Sequence, residues 1–391
     1  MTDTSVKKRR RGHNEGAIYQ RSSDGRWVGT LSLPNGKRKS FYGETRKEAA
    51  DRMKQAQRDQ ENGIDLSAAA LTVSMYLERW LRDAVKDSVK AKTYIDYESI
   101  CRVRVVPRIG DRKLARLTAL DLQGLYTELK EAGLSPQSIR KTHRVLHAAF
   151  RQAEKWDLLA RNPCGRVKAP RAERSEMQAW TPEQAQQFLN ATAEHRMHAL
   201  YVLALSTGMR RGELLGLKWS DVDLKVGTLS VQRALQWQSL DKYQFVTPKT
   251  AKSRRTIHLS KKAVDALRAH RDRQAFTRRD TGEFWQDQDL VFCNAMGGPL
   301  DPTHQSTVFQ QAATAIAEAA KKVEAPAFPV IRFHDMRHTA ATILLAKGVH
   351  VKLVSEMLGH STITLTLDTY SHIIPAMHGD AAAAMDAVFS A

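Results

Sequence analysis

The sequence predicts a mainly α chain with small β-sheets, an α+β class. A small three-stranded N-terminal β unit with a helix comes first, then a helical domain, then a mixed α/β domain. Three observations carry this. Apolar residues recur at helical spacing, with matched caps, through most of the chain. Short alternating runs around Pro34-Asn35-Gly36 read as strands joined by a hairpin. The stretch from Arg166 to Glu176 is basic, contains proline and is poor in apolar residues, so it reads as a linker. The 391 residues suit two or three domains. The expected boundaries are 1–66, 70–168 and 175–391.

In the first segment, Gly16 to Gln20, Arg26 to Leu33 and Lys37 to Tyr42 are the expected strands. Ser23-Asp24-Gly25 is a turn, and Thr45-Arg46-Lys47-Glu48 is a capping box that opens a helix. In the second, Thr72 opens a helix carrying Val73, Tyr76, Leu77, Trp80 and Leu81. Another runs from Thr93 toward Val105 and is expected to stop before Pro107. Thr118 begins a third, which ends near Gly133. Ser135-Pro136 supplies a cap and an N1 proline for a fourth, with Ile139, His143, Leu146 and Phe150 along one face. Asn162-Pro163 closes that run. In the last segment Thr181-Pro182-Glu183-Gln184 starts a helix, and Leu200, Val202, Leu203 and Leu205 read as core. Gly227 to Val231 and Arg255 to Leu259 are strands, and helices resume at Lys261. Beyond Pro375, Ala381 to Phe389 is an expected tail helix with Met385, Val388 and Phe389 on an apolar face.

The formal net charge is +19, which predicts a polyanionic partner. No apolar run approaches the roughly 20 residues needed to span a bilayer, so nucleic acid is favoured over a membrane. Lys7-Lys8-Arg9-Arg10-Arg11 has no apolar stretch after it and does not read as a secretory signal. The three cysteines, Cys101, Cys164 and Cys293, are odd in number and far apart, which favours a reducing cytoplasm over a zinc module.

Four stretches carry chemistry: Thr207-Gly208-Met209-Arg210-Arg211-Gly212-Glu213-Leu214, His334-Asp335-Met336-Arg337-His338, Leu358-Gly359-His360 and Leu367-Asp368-Thr369-Tyr370-Ser371-His372. Together they suggest attack on a phosphodiester. Arginine's planar fork holds two phosphate oxygens at once. A tyrosine, with a reference pKa of about 10, attacks only if its proton is taken or its phenolate is stabilised. A lysine could protonate the expelled sugar hydroxyl. A covalent phosphotyrosine would keep the phosphodiester's energy, so rejoining needs no ATP, metal or other cofactor. His334 and His338 could also read as a metal pair on a helix. Asp335 stands where a zinc protease needs glutamate, and Arg337 would repel a cation.

Thr-Gly-x-Arg-x-x-Glu-Leu, His-x-x-Arg-His-Thr, Leu-Gly-His and Asp-Thr-Tyr-Ser-His, in that order between Thr181 and Ile374, resemble the tyrosine recombinase (phage-type integrase) family. The resemblance implies a helical core-binding domain at 70–168 and, from the N-terminal β unit, an arm-type DNA-binding domain. It implies that Arg210 and Arg337 bind the scissile phosphate and that His334 assists proton transfer at the tyrosine. It further implies that His360 contacts the phosphate and that Tyr370 is the nucleophile. Glu213 matches an acidic residue that supports the scaffold. The catalytic lysine is expected on a β-hairpin, where Lys249 is the best match and Lys252 its rival. His338 and His372 receive no role. Partners implied are double-stranded DNA with core and arm attachment sites, a homotetramer in the synaptic complex, and, as helpers, a host DNA-bending protein and an excision factor. The implied place of work is DNA in a bacterial cytoplasm. A type IB topoisomerase and a catalytically silent DNA-binding protein are the rival readings. On the N-terminal sheet, Arg26, Lys37, Arg38 and Lys39 are candidates to face a DNA groove, without the alternation fixing which face is exposed.

Overall fold

The structure is a computed structural model that describes residues 17–32, 38–61, 71–171, 177–239, 242–247, 254–370, 386 and 388–389. The chain divides into two compact units, Met1–Arg174 and Ser175–Ala391.

In the first unit, strands β1 (Ala17–Gln20), β2 (Trp27–Ser32) and β3 (Arg38–Gly43) form an antiparallel sheet in that order. Helix α1 (Arg46–Glu61) covers one face. Leu31, Met53 and Ala56 are buried between them, with Ile18 and Phe41 at the margin. Among the described residues no helix covers the other face. There Tyr19 and Tyr42 flank Val28 in register and remain exposed, while Val28 between them is buried. Alternation puts Arg38 on that face with Tyr42, and Lys39 on the covered face opposite Leu31. Lys39 thus sits on the α1 side of the sheet, Arg26 is exposed just before β2, and Lys37 lies outside the described residues. So does the Pro34-Asn35-Gly36 hairpin. Thr45 Oγ1 accepts the Glu48 N–H as expected, but the Glu48 carboxylate accepts from Glu44 N–H.

The same unit holds the helices α2 (Val73–Trp80), α3 (Ala91–Ile100), α4 (Val106–Ile109), α5 (Ala119–Glu131) and α6 (Pro136–Lys155). Thr72, Thr118 and Ser135 cap α2, α5 and α6 with their hydroxyls. The helix expected to stop before Pro107 does not. A π turn over Cys101–Val105 widens the backbone, and Pro107 falls in the first turn of α4, where its missing N–H costs nothing. Asn162 does not end α6, which closes at Lys155. It caps a short 3₁₀ turn over Pro163–Arg166 instead. Val167 still belongs to the helical core, so the apolar packing reaches into the stretch read as linker.

In the second unit, α7 (Pro182–Ala191) opens with the Thr181–Gln184 capping box, and α8 (His198–Thr207) buries Leu200, Val202 and Leu203. Leu205 packs at the margin of that core. A short α9 (Arg211–Leu215) follows, then β4 (Val222–Asp223), β5 (Thr228–Val231), β6 (Ala234–Ser239), β7 (Lys242–Val246) and β8 (Arg255–His258). They pair as a β4-β5-β8 sheet and a β6-β7 hairpin, all antiparallel. The helices α10 (Lys261–Thr281), α11 (Pro302–Lys322), α12 (Asp335–Ala346), α13 (Val351–Leu358) and α14 (Ile363–Tyr370) complete the unit. Trp180, ringed by Phe188, Phe309 and Phe328, anchors the core and donates its indole N–H to Pro329 O at 2.8 Å. Helix α12 packs on α8, and α13 on β8 and α14. Of the expected tail helix, only Asp386, Val388 and Phe389 are described, in helical conformation.

Candidate active site

The site forms where the C-terminal end of α13 meets the turn after α8. Helix α8 ends on Gly208 at φ +61, and a Cβ there would lie 2.5 Å from the Leu358 side chain. Only glycine fits both demands. The chain then runs extended through Arg210, which N-caps α9. Its backbone N–H donates to Glu213 Oε2 at 3.0 Å, and Nη1 to Glu213 Oε1 at 2.8 Å. Nη2 donates to Gly359 O at 3.0 Å. Gly359, at φ +68, ends α13 and leaves its last carbonyls pointing at the site.

Arg337 comes from the first turns of α12 and is buried. Nη1 donates to Gly208 O and to Leu358 O, both at 2.8 Å. Two cations therefore sit at the negative end of α13, which favours their charge. Burial, then the nearness of Arg210, lowers Arg337 to about 10, so it remains charged at neutral pH. Among the described residues no acceptor takes Nε or Nη2 of Arg337. That edge of the fork is free for a bidentate anion.

Glu213 is buried and, besides Arg210, accepts from Arg255 Nη2 at 2.9 Å. Arg255, the first residue of β8, donates Nε to Met357 O at 2.6 Å. Burial works to raise the Glu213 carboxyl, but Arg255 and Arg210 outweigh it and hold it below the ordinary carboxylate range. A depressed carboxylate stabilises the fold above its unfolded pKa and loses that contribution as pH falls through the folded value. Glu213→Ala would remove the carboxylate that pairs with the Arg255 guanidinium, whose side chain is 8% exposed. The expected cost is about 3–5 kcal/mol in chemical denaturation. The loss of stability below the ordinary 4.5 should also flatten relative to wild type.

His360 follows Gly359. Its Nδ1 lies 2.7 Å from the buried Thr366 hydroxyl on α14, which leaves Nε2 for the site. Burial, then Arg337 and Arg210, lower it to about 4, so it is neutral. His334 precedes α12 on the exposed side of the site. Tyr370 ends α14 and is 1% exposed, packed with Ala341, Leu345, Val354 and Leu358. Burial raises its phenol to about 12 against the opposing pull of Arg337. Its hydroxyl lies 2.8 Å from His338 Nδ1.

Five of the six expected site residues, Arg210, His334, Arg337, His360 and Tyr370, thus converge. Lys249 lies outside the described residues, as do Lys252 and His372. Two residues escaped the sequence reading. His338, which received no role, touches the tyrosine hydroxyl, and Arg255 braces Glu213. The spacing of His338 from His334, one turn along a helix, was the available signal for the first. Arg255 carried none beyond its place at the start of a strand.

Residues 178–376 match the model of the phage integrase family, and residues 72–145 that of the phage integrase N-terminal SAM-like domain. The chain belongs to the phage integrase family. Within it, a tyrosine recombinase XerC-like protein of Caldanaerobacter subterraneus subsp. tengcongensis is 30% identical over 91% of this chain and 93% of that protein. The fold is that of the solved Tn1549 transposon integrase in complex with transposon right end DNA. That structure has a TM-score of 0.67 at 24% identity, covering 82% of this chain and all of the solved one. It is also that of a lambda integrase in a tetramer bound to a Holliday junction, with a TM-score of 0.55 at 19% identity, covering 92% and 96%. This integrase-family chain has, among its described residues, no helix long and apolar enough to cross a membrane.

Proposed function

We propose that this chain is a site-specific tyrosine recombinase, the integrase of a temperate phage or an integrative mobile element, acting on DNA in a bacterial cytoplasm. The observation that carries the reading is the convergence of Arg210, Arg337, His360 and Tyr370 on one helix end. Arg210 and Arg337 hold the non-bridging oxygens of the scissile phosphate, with the neutral His360 beside them. Tyr370 attacks phosphorus, and a 3′-phosphotyrosine forms. His334 assists the proton transfer at the tyrosine from the open side. Lys249, with Lys252 as rival, protonates the departing 5′ oxygen. The free 5′ hydroxyl of a partner duplex then reverses the step, giving first a Holliday junction and then recombinants. Four protomers act together on two duplexes, with a host DNA-bending protein and an excision factor as helpers.

The test is a nicked suicide duplex carrying the DNA that flanks the gene. A covalent adduct, followed by strand exchange between two partner duplexes, supports the reading. Adduct with relaxation but no exchange makes the chain a topoisomerase, and no adduct makes it a silent binder.

The N-terminal sheet supports a second DNA contact, to arm-type sites. The face away from α1 carries the exposed Tyr19, Tyr42 and Arg38, two aromatic rings and a cation. Arg38→Ala in the full chain should weaken binding to an arm-type duplex and lower the slope of log K against log salt by about 1. Binding to a core-type duplex should not change, and filter binding across a salt series reads both.

A further inference from the structure

The tyrosine hydroxyl has one hydrogen-bond partner among the described residues, and it is not the histidine that the family resemblance puts forward. His338 Nδ1 stands 2.8 Å from Tyr370 Oη, while His334 meets His338 edge-on, with ring centroids 5.4 Å apart. The inference below rests on the reading of Tyr370 as nucleophile. We infer that His338 is the direct proton acceptor for Tyr370 in the cleavage step, with His334 assisting through its edge-on contact to His338.

The surroundings set the resting state of the pair, a neutral phenol facing a neutral imidazole. Tyr370 is buried and its phenol is held neutral, so its proton must leave as the oxygen attacks. Burial first, with Arg337 and Arg332 adding to it against Asp335, keeps the His338 imidazole neutral as well. A neutral imidazole protonated on Nε2 offers Nδ1 as an acceptor, and the phenol donates to it. As the Tyr370 oxygen bonds to phosphorus, its O–H bond breaks and an N–H bond forms on His338 Nδ1. The bond from phosphorus to the 5′ oxygen breaks at the other side, and that oxygen takes its proton from a separate acid. In rejoining, the imidazolium returns its proton to the departing phenolate oxygen. His338 and Tyr370 come from α12 and α14, which also share the buried cluster of Ala341, Leu345, Val354 and Leu358. The pair is therefore held by packing on both sides rather than by the hydrogen bond alone.

The experiment compares full-length wild type, His338→Ala and His338→Asn on the nicked suicide duplex, measuring adduct rate and DNA affinity separately. Asparagine keeps an oxygen able to accept from the phenol but cannot hold the proton. Both variants should bind DNA as wild type does and form adduct at least about 10²-fold more slowly. Added imidazole should speed His338→Ala but not His338→Asn, whose side chain fills the space. A duplex with a bridging 5′ sulfur, which needs no acid on the leaving side, should leave both variants slow. Wild-type rates in His338→Asn would overturn the proposal and reduce the contact to positioning, and so would a rate within threefold of wild type in His338→Ala. Peptide mapping of the wild-type adduct separates the two levels of argument. An adduct on a residue other than Tyr370 sinks the nucleophile reading and this proposal with it, whereas an adduct on Tyr370 with unaffected His338 variants sinks this proposal alone.

Discussion

Tyr370→Phe should form no covalent adduct, while folding and DNA binding stay close to wild type. The ring remains, so its packing against Leu345, Val354 and Leu358 is kept. Only the hydroxyl is lost, and its single partner among the described residues is the half-buried His338, which can turn to water. Losing one such hydrogen bond costs about 0.5–1.5 kcal/mol, too little to unfold the domain. Activity has no substitute, because a phenyl ring has no atom to attack phosphorus. Gel mobility of the variant on the suicide duplex, beside its thermal melt, reads both. An adduct recovered at another residue would show that Tyr370 is not the nucleophile.

Arg337→Ala should be the most damaging substitution after that one, and on two counts. Cleavage should fall by at least about 10²-fold, as when a preorganised donor to a developing anion is removed. The fold should suffer too. Arg337 is buried and satisfies Gly208 O and Leu358 O, and each buried carbonyl left unpaired costs about 1–3 kcal/mol. Arg210→Ala should match it in cleavage but not in stability. Its side chain is 41% exposed, and Glu213 keeps its bond to Arg255. Lysine at either position should restore little, since a point charge cannot reproduce the fork. Denaturation midpoints set beside single-turnover cleavage rates separate the two effects. Near-normal cleavage by either alanine variant would remove that arginine from the phosphate.

Much of the fold could be read from residue types because the signals are local. The hydroxyl caps at Thr72, Thr118, Ser135 and Thr181 each start a helix where the sequence places one. Proline misled at Pro107, because the ring is forbidden only where a helical N–H is needed, and the π turn before it had already shifted the bonding. Strand alternation told that Arg38 and Lys39 face opposite ways but not which way α1 would lie, so it could not say that Lys39 shares its face with the helix. At the site, Arg210, Arg337, His360 and Tyr370 stood out by residue type and order. The contacts that tie them together did not. The bond from His338 to Tyr370 and the one from Arg255 to Glu213 join residues far apart in sequence, and depend on how α12, α14 and β8 pack.

Tyr370 is stored inside its own unit, 1% exposed. It ends a helix that packs on α13 of its own chain, and its hydroxyl rests on a histidine of its own α12. On the proposed reading, Arg210, Arg337, His360 and Tyr370 come together within one polypeptide, so the nucleophile is not lent by a neighbour. On that reading, control by one copy over another works by timing rather than by supply. It can shift α14, or loosen the seat of the ring, and so decide when an already complete centre fires.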